Sequence, residues 1–246
     1  PIYKVEATKN YGAQVLLYGE TYDDAYLKAI EISQERNGVF IHPFNDPDVI
    51  AGQGTIGVEI YEDLEDVDIV FVPVGGGGLI SGISIALKRL KPNVKIIGVQ
   101  PAGASAMYKS FKTGKLVEAD SLSTIADGVA VKKPGELTFK IIREFVDDIV
   151  VVNDFEIARA MFFMLERAKL VVEPAGALPV AALLSNTIDL NGKNVVAVIS
   201  GGNVDMGLLS RIIERGLYLN KRYIKIKGEL VDKPGELKKV IDDVAE

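Results

Sequence analysis

A chain of 246 residues can bury one large hydrophobic core or two modest ones. Its formal net charge of −6, with basic residues interleaved among acidic ones, argues against nucleic acid as a partner, and the absence of cysteine removes disulfides and thiolate metal sites. No apolar run reaches bilayer-spanning length and the first residues lack the apolar core of a signal peptide, so a cytoplasmic globular protein without a membrane partner is expected.

In chain order, residues 1–11 read as a helix already under way and residues 13–18 as a short strand. Thr21, with Asp24 three residues later, opens a helix in the manner of a capping box, and the helix runs to a stop near Asn37 and Gly38. Tyr22 and Tyr26 fall at helical spacing and are assigned to packing. The single histidine follows in Ile41-His42-Pro43-Phe44. No Ser or Cys nucleophile pattern accompanies it, and Pro43 and Pro47 frame a shaped loop, so His42 is read as structural or as positioned near a cleft. Residues 48–64 form a helix that contains Gly52, Gly54 and Gly57, which requires close packing against a neighbour to offset their poor helix propensity.

Apolar strands then alternate with helices: 67–74, 94–99, 148–152 and 194–200. Strands of this kind describe an α/β fold, an open and mostly parallel twisted sheet with helices on both faces, whose ligands sit beyond the carboxyl ends of the strands. A polar surface loop is expected over 112–123. In the helix that follows, Leu137, Ile141 and Phe145 mark the apolar face and leave Lys140 on the wet one. Asn153 and Glu156 make a second capping pair, residues 175–184 a small Ala-rich helix, and the helix after Asn203 is expected to end at Gly216. In the tail, 222–230 alternates like a half-exposed strand and a helix starts at about Glu236.

The most informative stretch is Gly75-Gly76-Gly77-Gly78-Leu79, which separates a strand from a helix. Glycines here can aim successive N–H groups inward while the helix adds its positive end, which makes an anion cradle. A nucleoside triphosphate loop would close on Lys-Ser/Thr, but Leu79 and Ile80 stand there. A dinucleotide fingerprint lacks its third glycine, and the next strand ends in Gln100 where an acidic ribose ligand is needed. A plain tight turn does not call for four glycines in a row.

This loop, together with Ser200-Gly201-Gly202-Asn203 and Glu173-Pro174-Ala175-Gly176, resembles the pyridoxal-phosphate enzymes of the threonine dehydratase and serine racemase group, of fold type II. Gly52-Gln53-Gly54-Thr55, Ile125-Ala126-Asp127-Gly128-Val129 and Ile41-His42-Pro43-Phe44 extend the resemblance over nearly the whole chain. It implies that Gly75, Gly76, Gly77, Gly78 and Leu79 hold the phosphate of pyridoxal 5'-phosphate. Ser200 would face the pyridine nitrogen with a neutral hydroxyl, and Glu173 would lie near the ring. The implied reaction is β-elimination on L-threonine or L-serine to 2-oxobutanoate or pyruvate and ammonia, with serine racemization, the reaction of another fold-type II enzyme, or cofactor binding without turnover, as alternatives. The family's Schiff-base lysine, and its Ser-x-Gly-Asn-His loop, match no residues here, so no catalytic residue is assigned and a missing N-terminal segment is expected. Expected domains are 1–45 as part of a smaller α/β lobe, 46–219 as the cofactor domain, and 220–246 as the start of an ACT-like module for an amino-acid effector; a homo-oligomer is expected. The racemase-like cation site aligns through Pro101 with Gln100, Ala104 and Ala106, so no metal is expected.

Overall fold

The computed structural model describes residues 2–19, 22–185 and 188–245. Four strands, β1 (Ile69–Pro73), β2 (Lys95–Pro101), β3 (Asp148–Val152) and β4 (Val195–Ala197), form a parallel sheet in the order β3-β2-β1-β4. The helices are α1 (Ile2–Asn10), α2 (Tyr22–Glu35), α3 (Pro47–Asp63), α4 (Gly78–Leu90), α5 (Ala106–Thr113), α6 (Glu136–Phe145), α7 (Asp154–Phe163), α8 (Pro174–Leu184), α9 (Met206–Leu219) and α10 (Glu236–Ala245).

All of β1 is buried, as is β2 beyond its first residue, because helices cover both sheet faces. Strand periodicity divides the core. Ile69, Phe71, Ile97 and Val99 meet Ile157, Met161, Ala177, Leu178 and Ile212 of α7, α8 and α9. Val70, Val72, Val74 and Ile96 meet Ile80, Ile83, Leu87, Met107 and Ile142 of α4, α5 and α6. Each fully buried Ile, Leu or Phe contributes about 1.5–3 kcal/mol. Outside α4 lies α3, and the two helices touch backbone to backbone: a Cβ on Gly82 would fall 2.3 Å from the Ile50 carbonyl oxygen, and one on Gly57 2.9 Å from that of Ile83. Gly54 also packs there, but Gly52 faces open space, so close packing accounts for two of the three glycines in α3.

The capping pair on α7 forms as expected, with Asn153 Oδ1 accepting from the Glu156 N–H at 3.0 Å and Glu156 Oε2 from the Asn153 N–H at 2.7 Å. The Thr21 capping box lies outside the described residues. Several other expectations are corrected. Residues 13–18 and 222–230 are not strands, since a strand-like apolar pattern makes a strand only where another edge supplies hydrogen bonds, and neither stretch has one among the described residues. The 112–123 loop starts later, because α5 continues to Thr113. Gly216 does not end α9, which runs to Leu219; its missing side chain instead admits the Phe162 ring, which a Cβ would meet at 2.3 Å. On α6 the buried positions are Thr138 and Ile142, while Leu137 and Ile141 are only half-buried. Lys140 is exposed as expected.

Candidate functional site

The glycine loop leaves the carboxyl end of β1 and is held from behind. Val74 donates its N–H to the Val99 carbonyl at 2.9 Å, and its own carbonyl accepts from Gln100 Nε2 at 3.1 Å. Gln100 is buried and its Oε1 accepts from the Tyr108 N–H at 2.7 Å, so both ends of the amide serve as struts. The Gly76 carbonyl accepts from Thr138 Oγ1 at 2.6 Å and from the Gly135 N–H at 3.4 Å.

A peptide plane carries its C=O and N–H on opposite sides. With the Gly76 carbonyl drawn back into the protein, the Gly77 N–H is turned to the opposite side. None of the N–H groups of residues 75–80 has an acceptor among the described residues, although Gly76, Gly77, Gly78 and Ile80 are buried. Buried donors in native proteins are nearly always paired, so a row of unpaired ones at the start of a thirteen-residue helix fits an anionic ligand such as a phosphate group. Glycine is required by geometry: Gly77 has φ +100°, and a Cβ on Gly76 would lie 2.4 Å from the Phe44 ring.

Three further motifs follow one another in contact from this loop, the first touching Gly75 and each of the others touching the one before it. A Cβ on Gly75 would contact Val129 Cα at 3.1 Å; one on Gly128 would reach Ala175 Cβ at 3.2 Å and Glu173 Oε1 at 3.9 Å; one on Gly201 would lie 2.3 Å from Glu173 Oε1. Glu173 also donates its N–H to the Gly201 carbonyl at 3.1 Å. The half-buried Glu173 carboxylate therefore lies against Gly201, with Gly128 also within reach, beside the start of α8. A five-residue π turn, Met164–Ala168, followed by Lys169 at φ +59°, brings the chain from α7 to this point.

Ser200 is exposed, three residues past β4. Since Phe71 pairs with Ala197 and the Val198 N–H still donates to the Phe71 carbonyl at 3.0 Å, continuing the register three residues sets Ser200 level with Val74. The glycine loop and Ser200 thus leave adjacent strands at the same sheet edge. Phe44 and Asn45 were not singled out from the sequence as loop contacts. Phe44 packs on Gly76 and Gly78, and Asn45 Oδ1 accepts from the Leu137 N–H at 3.0 Å and the Thr138 N–H at 3.4 Å. That oxygen caps α6, whose own N-cap residue, Gly135, has no side chain to do so.

These features define an α/β protein whose bare, unpaired amides at the carboxyl edge of a parallel sheet fit a phosphate-bearing small molecule. A family profile described as "Pyridoxal-phosphate dependent enzyme" matches residues 1–201, and the chain belongs to that family. It is 52% identical over 246 residues to an L-threonine ammonia-lyase of Thermotoga maritima, covering 100% of this chain and 61% of that protein. Among solved structures it resembles the processed threonine deaminase isoform 2 of Solanum lycopersicum, with TM-score 0.81 and 40% identity over 87% of this chain and 63% of the other. It also resembles maize serine racemase, with TM-score 0.81 and 35% identity over 90% of this chain and 68% of the other. The chain therefore spans about three fifths of the length of the curated ammonia-lyase it matches.

Proposed function

We propose that this chain is the cofactor-holding part of a cytoplasmic lyase that removes the β-hydroxyl of L-threonine, with L-serine as a second substrate. The net change is loss of the α-proton and the β-hydroxyl as water, re-addition of water, and release of ammonia, which leaves 2-oxobutanoate from threonine or pyruvate from serine. The observation that carries the reading is a bare loop of buried, unpaired amides at the carboxyl edge of the sheet, with Ser200 leaving the adjacent strand at that same edge. The named activity of the Thermotoga maritima relative supports it.

When bound, pyridoxal phosphate supplies the electron sink that makes the amino acid's α-proton removable. In this reading Gly75, Gly76, Gly77, Gly78 and Leu79 bind its phosphate through main-chain N–H groups. Ser200 would offer the pyridine nitrogen a neutral hydroxyl, where an acidic residue would instead keep that nitrogen protonated. Glu173, against Gly201, borders the same space. Residues 220–246 begin a regulatory module for an amino-acid effector, and the protein works as a homo-oligomer.

The test is to titrate the chain with pyridoxal phosphate and to assay 2-oxobutanoate from L-threonine, and pyruvate and D-serine from L-serine. The assays are run alone and with the N-terminal segment of the Thermotoga maritima relative supplied separately. The expected result is weak binding without turnover for the chain alone, and elimination once the segment is added. D-serine as the main product would favour the racemase reading instead. One stoichiometrically labelled lysine within residues 1–246 after borohydride reduction, with 2-oxobutanoate formed by the chain alone, would show that it carries its own nucleophile.

A further inference from the structure

The chain's only histidine is unused by the reaction outlined above, yet it binds the two residues that reach the glycine loop. His42 Nδ1 accepts two main-chain hydrogen bonds, from the Phe44 N–H at 3.2 Å and the Asn45 N–H at 2.9 Å. The imidazole is therefore neutral, with its proton on Nε2. The two residues it holds are those that reach the loop. Phe44 packs on Gly76 and Gly78. Asn45 caps α6 at Leu137 and Thr138, and Thr138 in turn donates to the Gly76 carbonyl. One unbroken series of contacts thus runs from Nδ1 to the peptide that aims the Gly77 N–H.

We propose that His42 is a positioning residue for the glycine loop: its neutral imidazole alone can accept both N–H groups, so a proton added at Nδ1 releases residues 44 and 45 and weakens the loop's hold on a phosphate group. The inference rests on the reading that this loop binds the cofactor phosphate, and adds to it a dependence on one titrating side chain.

The surroundings set the direction. Half-buried His42 packs edge-on against Tyr26 of α2 at 5.9 Å between ring centroids, Phe40 at 6.3 Å and Phe44 at 4.6 Å. It shares a cavity of about 270 Å³ with Lys133, just before α6, and Glu136, the first residue of α6, which bring one charge of each sign, and Asp46 stands at the start of α3. Burial holds the imidazole below its ordinary value, and Asp46 opposes this only in part. The neutral form is accordingly the one present at neutral pH, and the switch lies on the acid side of the ordinary histidine value of about 6.5.

The experiment measures the affinity of the 246-residue chain for pyridoxal phosphate, and for inorganic phosphate, between about pH 5 and 8, in the wild type, H42N and H42A. In each protein, protection of the Phe44 and Asn45 amides from hydrogen exchange is followed over the same range, and the wild-type imidazole is followed by nitrogen NMR. Asn offers an oxygen near the place of Nδ1 and does not titrate, so it retains the phosphate's own ionisation near pH 6 but not that of the histidine.

The wild type should lose about tenfold more affinity than H42N on acidification, the equivalent of one net hydrogen bond, with parallel loss of protection at residues 44 and 45. H42A should bind weakly at every pH. Identical pH curves and protection in wild type and H42N, wild-type affinity in H42A, or a protonated Nδ1 at neutral pH would each overturn the proposal. If H42A does not fold, the comparison of wild type with H42N and the NMR signal decide. If no protein binds pyridoxal phosphate at any pH while acid still exposes Phe44 and Asn45 only in the wild type, the phosphate-site reading fails and the histidine contact stands.

Discussion

The hydroxyl of Thr138 is the most informative single group to remove, because it supports the glycine loop without being able to touch a ligand in front of it. T138V keeps the side-chain volume and deletes the 2.6 Å bond to the buried Gly76 carbonyl, which retains only the longer 3.4 Å contact from Gly135. A buried carbonyl left nearly unsatisfied costs about 1–3 kcal/mol. At roughly 2–4 °C per kcal/mol for a chain of this size, the melting temperature should fall by about 2–12 °C. Stability alone would not separate this role from ordinary packing, since T138S also loses a buried methyl, worth about 0.8 kcal/mol. Cofactor affinity does separate them. Urea unfolding and equilibrium pyridoxal-phosphate binding should show both variants destabilised, with binding weakened severalfold in T138V and close to wild type in T138S. Wild-type affinity in T138V would refute the claim that the Gly76 carbonyl orients the loop.

G77A introduces a Cβ at φ +100°, 2.9 Å from Ile142 Cδ1 and Thr138 Cβ, and strain of about 1–2 kcal/mol plus crowding of about 1–3 should appear as lower urea resistance and lost phosphate binding. Ser81 Oγ is buried without a partner among the described residues, so S81A should be neutral or stabilising by up to about 1 kcal/mol; a destabilisation larger than that would reveal an unrecognised role for the hydroxyl. The Asp68 carboxyl is held below the ordinary carboxylate range, first by the Asn194 backbone N–H and then by Lys193 and Lys91. Its contribution is present above the unfolded value of about 3.9 and is lost as pH falls through the lower folded value, so hydrogen exchange in β4 should rise in strong acid, and already at neutral pH in D68A. If main-chain N–H groups alone grip the phosphate, affinity should change less than about threefold between 0.05 and 0.5 M salt, whereas a steep fall would implicate a lysine such as Lys133.

Features that depend on neighbours in sequence were legible before the structure. The buried apolar runs of β1 and β2 need only their own composition, and the Asn153–Glu156 pair closes on itself within four residues. Features that depend on a remote partner were not. The short apolar run at 13–18 and the alternation at 222–230 look the same as those of a strand, because side-chain pattern records which side is wet and not whether a neighbouring edge exists. Gly216 carries the same symbol as a helix terminator, and its effect is decided by Phe162, more than fifty residues away. Thr138 on α6 does not stand out in the sequence beside Leu137 and Ile141, since a hydroxyl becomes a core residue only when an acceptor such as the Gly76 carbonyl is brought to it.

The same division runs through the candidate site. Four glycines announce a main-chain cradle, but they do not say which way any peptide faces, and glycine is the residue least able to settle that alone. Orientation is imposed from outside: Gln100 holds the carbonyl before the loop, Thr138 the one within it, and Phe44 fills the space that side chains at Gly76 and Gly78 would have occupied. Because each peptide turns as a rigid plane, fixing a carbonyl at the back aims an N–H at the front, and the cost of ordering a flexible loop is met in folding rather than in binding. A cradle built this way needs no cationic side chain, so a net charge of −6 and the lack of a basic patch in the sequence are compatible with an anion at this loop.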